Sequence, residues 1–148
     1  MIGRLKHQDP KVAEKIQQLQ QAAYQVEAEL MGFYDIPQLH ETVEEIQNST
    51  EIFWGYTKQH VQGILSYKIE EGTVDIHRLI VDPDYFRLGI GRKLVGELIK
   101  KHRAYTVTVS TGSANKPAIA LYKLFGFQEV GVMEVAPGIY CTQLQLNN

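Results

Sequence analysis

Val12, Ile16, Leu19, Ala23, Val26 and Leu30 recur every three or four residues, a spacing that predicts one long amphipathic helix. Asp9-Pro10 marks its start, because Asp caps a helix and Pro suits its first turn. Gly32 marks its end, and Pro37 opens a shorter helical pattern that runs to about Ile46. The period then changes to two. Residues 52–57 and 61–69 read as strands joined near Lys58-Gln59-His60, and Glu71-Gly72 turns the chain into a third strand at 74–81. Asp82-Pro83 closes that meander. Residues 89–102 place Ile90, Leu94, Val95, Leu98 and Ile99 on one helical face, and 105–109 alternate threonine with β-branched or aromatic residues as a strand does. A helix at 117–125 stops at Gly126, and strands at 127–135 and 139–146 form a hairpin around Pro137-Gly138. With a first strand at 2–6, the predicted order is β-α-α-β-β-β-α-β-α-β-β. That order predicts an α/β fold with a mixed sheet.

Composition narrows the classes. The 148 residues suit one domain, with 44% hydrophobic and 22% charged positions. A net charge of −2 gives no reason to expect a nucleic-acid partner. No apolar run has the length of a membrane span, so no membrane partner is expected. A single cysteine, Cys141, cannot close an internal disulfide, and MIGRLKHQDP lacks the apolar stretch of a leader, so the expected location is cytoplasmic.

The stretch YFRLGIGRKL at 85–94 puts two glycines where a helix begins. The first N–H groups of a helix lack internal partners, and its dipole adds positive potential there. Glycines let a phosphate approach those N–H groups without a Cβ in the way. A nucleotide-triphosphate loop is excluded, because Gly91-Arg92-Lys93-Leu94 lacks the hydroxyl that would hold magnesium. A dinucleotide fingerprint is excluded too, because Leu94 stands where its third glycine belongs.

Two segments together resemble the GNAT superfamily of acyl-CoA-dependent N-acetyltransferases. The first is Phe86-Arg87-Leu88-Gly89-Ile90-Gly91, similar to the Gln/Arg-x-x-Gly-x-Gly/Ala loop that holds pyrophosphate in that family, except that Phe86 takes the leading place and Arg87 comes one position late. The second, Asn115 to Phe127, resembles Asn-x-x-Ala-x-x-x-Tyr-x-x-x-Gly-Phe at every named position. The element order agrees across nearly the whole chain. The resemblance implies a single acyltransferase domain over 1–148, with a centrally antiparallel mixed sheet, splayed fourth and fifth strands, and helices on both faces.

It also implies roles. Acetyl-CoA would lie in the splay, its pantetheine arm pairing with the main chain of Leu79, Ile80 and Val81, a run that reads equally as plain core strand. An N–H near Val81 would stabilise the oxyanion. The loop amides of Arg87, Leu88, Gly89, Ile90, Gly91 and Arg92 would hold the pyrophosphate. Asn115 would face the coenzyme, although it also suits an N-cap. Tyr122 would act as general acid toward the leaving thiolate, or serve as one more packed aromatic beside Phe125. His77 is the candidate general base; period two predicts that it shares a strand face with Leu79 and Val81. A structural histidine is the alternative. Glu29 and Tyr34 are further base candidates, and Glu29, Phe33 and Tyr34 are expected at the acceptor site, although Phe33 and Tyr34, with Met31, read equally as residues that close the core.

Charge is segregated. Residues 16–57 hold seven carboxylates and no Lys or Arg, whereas 87–123 hold eight Lys and Arg against Glu97 alone. This suits a polyanionic coenzyme at one half and a cationic amine at the other, or simply two solvated surfaces. Histidines at 7, 40, 60, 77 and 102 lack ligand spacing, so no metal is expected. Cys141 is expected to be a small buried hydrophobe. The reading is acetyl transfer from acetyl-CoA to a small-molecule or peptide amine by direct attack in a ternary complex. A non-catalytic acyl-CoA sensor is the competing class, and the resemblance leaves a homodimer open.

Overall fold

The computed structural model describes residues 1–147. Helix α1 (Pro10–Met31) starts where Asp9 accepts a hydrogen bond from the Lys11 N–H at 2.9 Å, and ends at Gly32, whose φ of +63° few other residues adopt. Its buried line is Ala13, Ile16, Leu19, Gln20, Tyr24 and Ala28, rotated from the predicted stripe. Val26 and Leu30 line a cavity instead. The short helix predicted from Pro37 to Ile46 is two pieces: a 3-10 turn at Pro37–Leu39, then α2 (Val43–Gln47). Thr42 starts α2 afresh through a reciprocal capping box with Glu45.

Strands β1 (Ile2–Arg4), β2 (Ile52–Lys58), β3 (His60–Glu70) and β4 (Thr73–Val81) pair in sequence order, all antiparallel. Helix α3 (Ile90–Lys101) leads to β5 (Thr106–Gly112), and α4 (Lys116–Leu124) leads to the hairpin of β6 (Gln128–Ala136) and β7 (Ile139–Asn147). The sheet order is β1-β2-β3-β4-β5-β7-β6, with β4–β5 the one parallel pair among the described residues. That ladder joins Thr73–Thr106 through Ile76–Val109 and stops. Both strands run on, β4 to Val81 and β5 to Gly112, without pairing to each other. The sheet is split there.

One core lies under α3 and α4, the other under α1 and α2. Gly63 on β3 seats the start of α3 against the sheet, because a Cβ there would lie 2.5 Å from Ile90 Cγ2 and 3.2 Å from Leu94 Cδ1. Gly63→Ala is therefore expected to cost about 1–3 kcal/mol through overpacking. Urea denaturation checks this; an unchanged midpoint would show that α3 moves away freely.

Candidate active site

The two glycines of the loop after β4 serve different ends. Gly89 caps α3 with φ +79°, and Arg87, two residues earlier, also sits at φ +66°. The first helical bond runs from the Lys93 N–H to the Gly89 carbonyl at 3.0 Å. The N–H groups from Arg87 to Arg92 have no acceptor among the described residues. Gly91 keeps the space beside them open. A Cβ there would reach within 3.4 Å of Leu121, 3.7 Å of Leu79 and 3.8 Å of Val81, across the mouth of the split.

The split exposes main-chain groups in a definite pattern. Asp82 donates its N–H to the Gln62 carbonyl at 2.9 Å, so it faces β3. Antiparallel pairing alternates, so Ile80 also faces β3 while Leu79 and Val81 turn N–H and C=O away from it. Beyond Ile76 no β5 partner meets them. Leu79 and Val81 thus offer unpaired groups to the gap. Ile80 does not: its main chain is spent on β3 and its side chain is buried under α1, which corrects the expectation for that residue.

Two cavities, each about 530 Å³, meet at the split and share Tyr24, Glu27, Leu79, Asn115 and Ala118. The first is bordered by Met31 at the end of α1, by Phe33 and Ile36 of the α1–α2 connection, by His77, and by Val135 of β6. The second runs past Val81 to Arg87, Gly89, Gly91 and Arg92. At the junction the two cores touch through the sheet. Tyr24 belongs to one and Tyr122 to the other. Neither hydroxyl has a hydrogen-bond partner among the described residues, although Tyr122 is only 2% exposed. Burial first, then the Glu27 carboxylate, pushes both phenols well above their ordinary range, so both stay protonated at neutral pH. Asn115 does two jobs: Oδ1 accepts from the Ala118 N–H at 3.3 Å as the N-cap of α4, and Nδ2 donates to Glu27 Oε1 at 3.3 Å.

His77 sits at a β-bulge. Ser66 pairs with Arg78 and Tyr67 with Ile76, which leaves His77 as the extra residue. Its Nε2 lies 3.2 Å from Asp75 Oδ2, and Thr108 donates to the same carboxylate at 2.7 Å. Val74 and Ile76 face the α3–α4 core, so Asp75 and the ring drawn to it face the opposite side. Leu79 and Val81 pack toward the α3–α4 core. The bulge therefore separates His77 from the face it was expected to share with them, although it still lines the first cavity.

Other expected residues divide. Phe33 lines the first cavity, whereas Glu29 is exposed and Tyr34 is 54% exposed, and neither borders either of these two cavities. Glu29 lies two residues, about 200° of helix, from Glu27, so only one of them can face the sheet. Leu88 is 62% exposed and offers the loop its main chain only. Cys141 borders the first cavity half-buried rather than closing the core, its thiol pushed up by burial and then by Glu27. Glu27 and Tyr24 were not singled out from the sequence. The acidic half is partly structural too, since Glu41 and Glu51 both hold the buried Arg78. No helix among the described residues is long and apolar enough to cross a membrane.

Comparison with known proteins agrees with this architecture. The Bacillus subtilis UPF0157 protein YqkA is 38% identical over 148 residues, covering 99% of this chain but 43% of that protein, so the chain spans less than half its relative's length. The Escherichia coli [ribosomal protein bS18]-alanine N-acetyltransferase is 31% identical over 117 residues, covering 75% of this chain and 76% of that one. In fold, the crystal structure of the E. coli ribosomal-protein-S18-alanine N-acetyltransferase superposes with a TM-score of 0.77 at 18% identity, covering 99% of this chain and 92% of that one. An aminoglycoside 6'-N-acetyltransferase complexed with coenzyme A superposes at 0.74 and 17% identity, covering 99% and 96%. The model of the acetyltransferase (GNAT) family matches residues 13–127, which contain the split, the free-amide loop and Tyr122. This chain belongs to the acetyltransferase (GNAT) family.

Proposed function

We propose that this chain transfers an acetyl group from acetyl-CoA to a primary amine bound in the same complex. The observation that carries the reading is one continuous feature: unpaired main-chain groups of Leu79 and Val81 in the split, leading to free amides from Arg87 to Arg92 at the start of α3. Coenzyme A fits these residues, since an amide-bearing arm needs strand-like partners and a diphosphate needs clustered N–H donors. When bound, it supplies an acetyl group activated as a thioester.

The chain's own groups do the rest. Loop amides, with Arg87 and Arg92 beside them, bind the diphosphate. N–H groups of Leu79 and Val81 donate to the arm and to the negative charge that builds on the reacting carbonyl. Tyr122 donates its O–H toward the departing sulfur. His77, held by Asp75, takes the proton that the amine loses. The acceptor is a small-molecule or peptide amine in the first cavity, a class that fits the amine acceptors in the names of the ribosomal-protein and aminoglycoside relatives. A single domain in a cytoplasmic setting belongs to the same reading, supported by one unbridged cysteine.

Two measurements test it. Calorimetry should show coenzyme A binding, lost in Gly91→Leu, whose side chain fills the mouth of the split. A thiol-release screen of amines with acetyl-CoA should then give turnover. Tight binding with no turnover on any amine would make the chain a sensor, and no binding would end the proposal.

A further inference from the structure

Glu27 is a half-buried carboxylate at the junction, lining both cavities, that the roles above leave unused. Buried charge is costly unless paired. Elsewhere this protein pairs it thoroughly: Glu51 receives Arg78 Nε at 2.9 Å, Arg78 Nη2 at 3.0 Å and Ser49 Oγ at 3.0 Å. Glu27 receives only the Asn115 amide at 3.3 Å, and among the described residues no cation lies within ion-pair distance. The unpartnered hydroxyls of Tyr24 and Tyr122 lie close enough to feel its charge. Glu27 and Tyr24 line both cavities, and Tyr122 lines the first. Bound coenzyme brings no cation to that point, so the missing partner belongs to the acceptor.

We propose that Glu27 is the specificity-determining carboxylate that docks the acceptor's ammonium group, so that the chain selects amines charged at neutral pH over neutral nucleophiles of the same shape. The inference rests on the acyl-transfer reading for the acceptor's place, but not for its own test. Glu27 positions the cation, and His77 remains the proton acceptor. Two features support it. Burial raises the Glu27 carboxyl above its ordinary 4.5, as expected where solvent is excluded and no cation yet compensates. The cavity beyond is walled by Met31, Phe33 and Ile36, which suits an apolar body behind a charged head.

The probes are 2-phenylethylamine and its neutral counterpart 2-phenylethanol, titrated calorimetrically into the full chain without coenzyme. The amine should bind about 30-fold or more tightly than the alcohol, the discrimination that a desolvated charge pair supports. Glu27→Gln should abolish the difference, while Asp35→Asn, which alters the other carboxylate at that cavity, should leave it in place. No preference in the wild type, or a preference that survives Glu27→Gln, overturns the proposal.

If Glu27→Gln melts far below wild type, pH decides instead. The titratable and charged groups that line the cavities Glu27 borders are Tyr24 on α1, Asp35 between α1 and α2, Tyr122 on α4, Cys141 on β7, His77 and Arg78 on β4, and Tyr85, Arg87 and Arg92 between β4 and the first turn of α3. The phenols and thiol stay protonated, and Arg78 stays charged. A background carrying both His77→Gln and Asp35→Asn removes the contributions of the histidine and of the other carboxylate at that cavity. In that background the preference should vanish as pH falls through the raised Glu27 value; a pH-independent preference overturns the proposal. A separate coenzyme A titration reports on the acyl-transfer reading alone, so the two failures are distinguishable.

Discussion

Tyr122→Phe should lower kcat by about 10²–10⁴-fold and leave the coenzyme A Kd within about twofold. The substitution removes one oxygen and keeps the ring packed 5.3 Å from Phe127. The hydroxyl has no partner among the described residues, so its removal orphans no protein group, and the melting temperature should hold. Burial and the Glu27 carboxylate set the kind of help it gives. A thiolate of ordinary pKa, about 8.5, is a weaker base than this phenolate. Complete proton transfer from phenol to thiolate therefore runs uphill, and the contribution is a hydrogen bond donated as charge builds on sulfur. Because the phenol stays protonated throughout the working range, the wild-type pH profile should carry no limb from Tyr122. Single-turnover and steady-state kinetics with a good acceptor check both points. An unchanged kcat would remove Tyr122 from the reaction.

Local rules explain what the sequence could show. Element order followed from periodicity and from residues with fixed meanings: Asp9-Pro10 at a helix start, Gly32 and Gly89 at left-handed positions, Pro137-Gly138 at a hairpin. The free-amide loop was legible for the same reason, since a strand, two glycines and a helix start are adjacent in sequence. What escaped depends on partners far along the chain. Asp75 to Val81 alternates cleanly, and nothing in it announces that His77 is an extra residue; the bulge exists only against Ser66 and Tyr67. Arg78 looks like a solvent-facing charge in a strand, yet it is 5% exposed, because Glu51, Glu41 and Gln20 reach it from 27, 37 and 58 residues away. On α1 the apolar stripe has two flanks. One faces the sheet and the other faces a cavity, so Glu27 could not be ranked above Glu29 without knowing which flank met the split. Its spacing of three from Tyr24, with Ala28 beside it on the buried line, was the available signal.

Arg78→Met should cost about 3–5 kcal/mol in folding stability at neutral pH, the loss that follows when one partner of a buried pair is removed. Arg78 binds Glu51 through Nε and Nη2, Glu41 through Nη1 and Nη2, and Gln20 through Nη1 at 2.9 Å, with the guanidinium 5.1 Å over the Phe53 ring. Methionine keeps much of the volume but strands two carboxylates. The pH dependence identifies the cause. Burial alone would raise the Glu51 carboxyl, but hydrogen bonds from Arg78 and Ser66 overcome this and hold it down to about 2. A carboxyl depressed from 4.5 stabilises the folded state fully above the unfolded value and progressively less as pH falls toward 2. The gap between wild type and Arg78→Met should therefore be widest near neutrality and close across that acid window, where the stranded Glu51 becomes neutral in the variant. Denaturant titrations at a series of pH values measure it. A gap independent of pH would mean that methionine fails by shape, not charge. The same network anchors Gln20 of α1 and Glu41, just before α2, to the strand that carries His77, so the variant should also loosen the wall of the acceptor cavity and raise the amine KM more than it changes coenzyme binding.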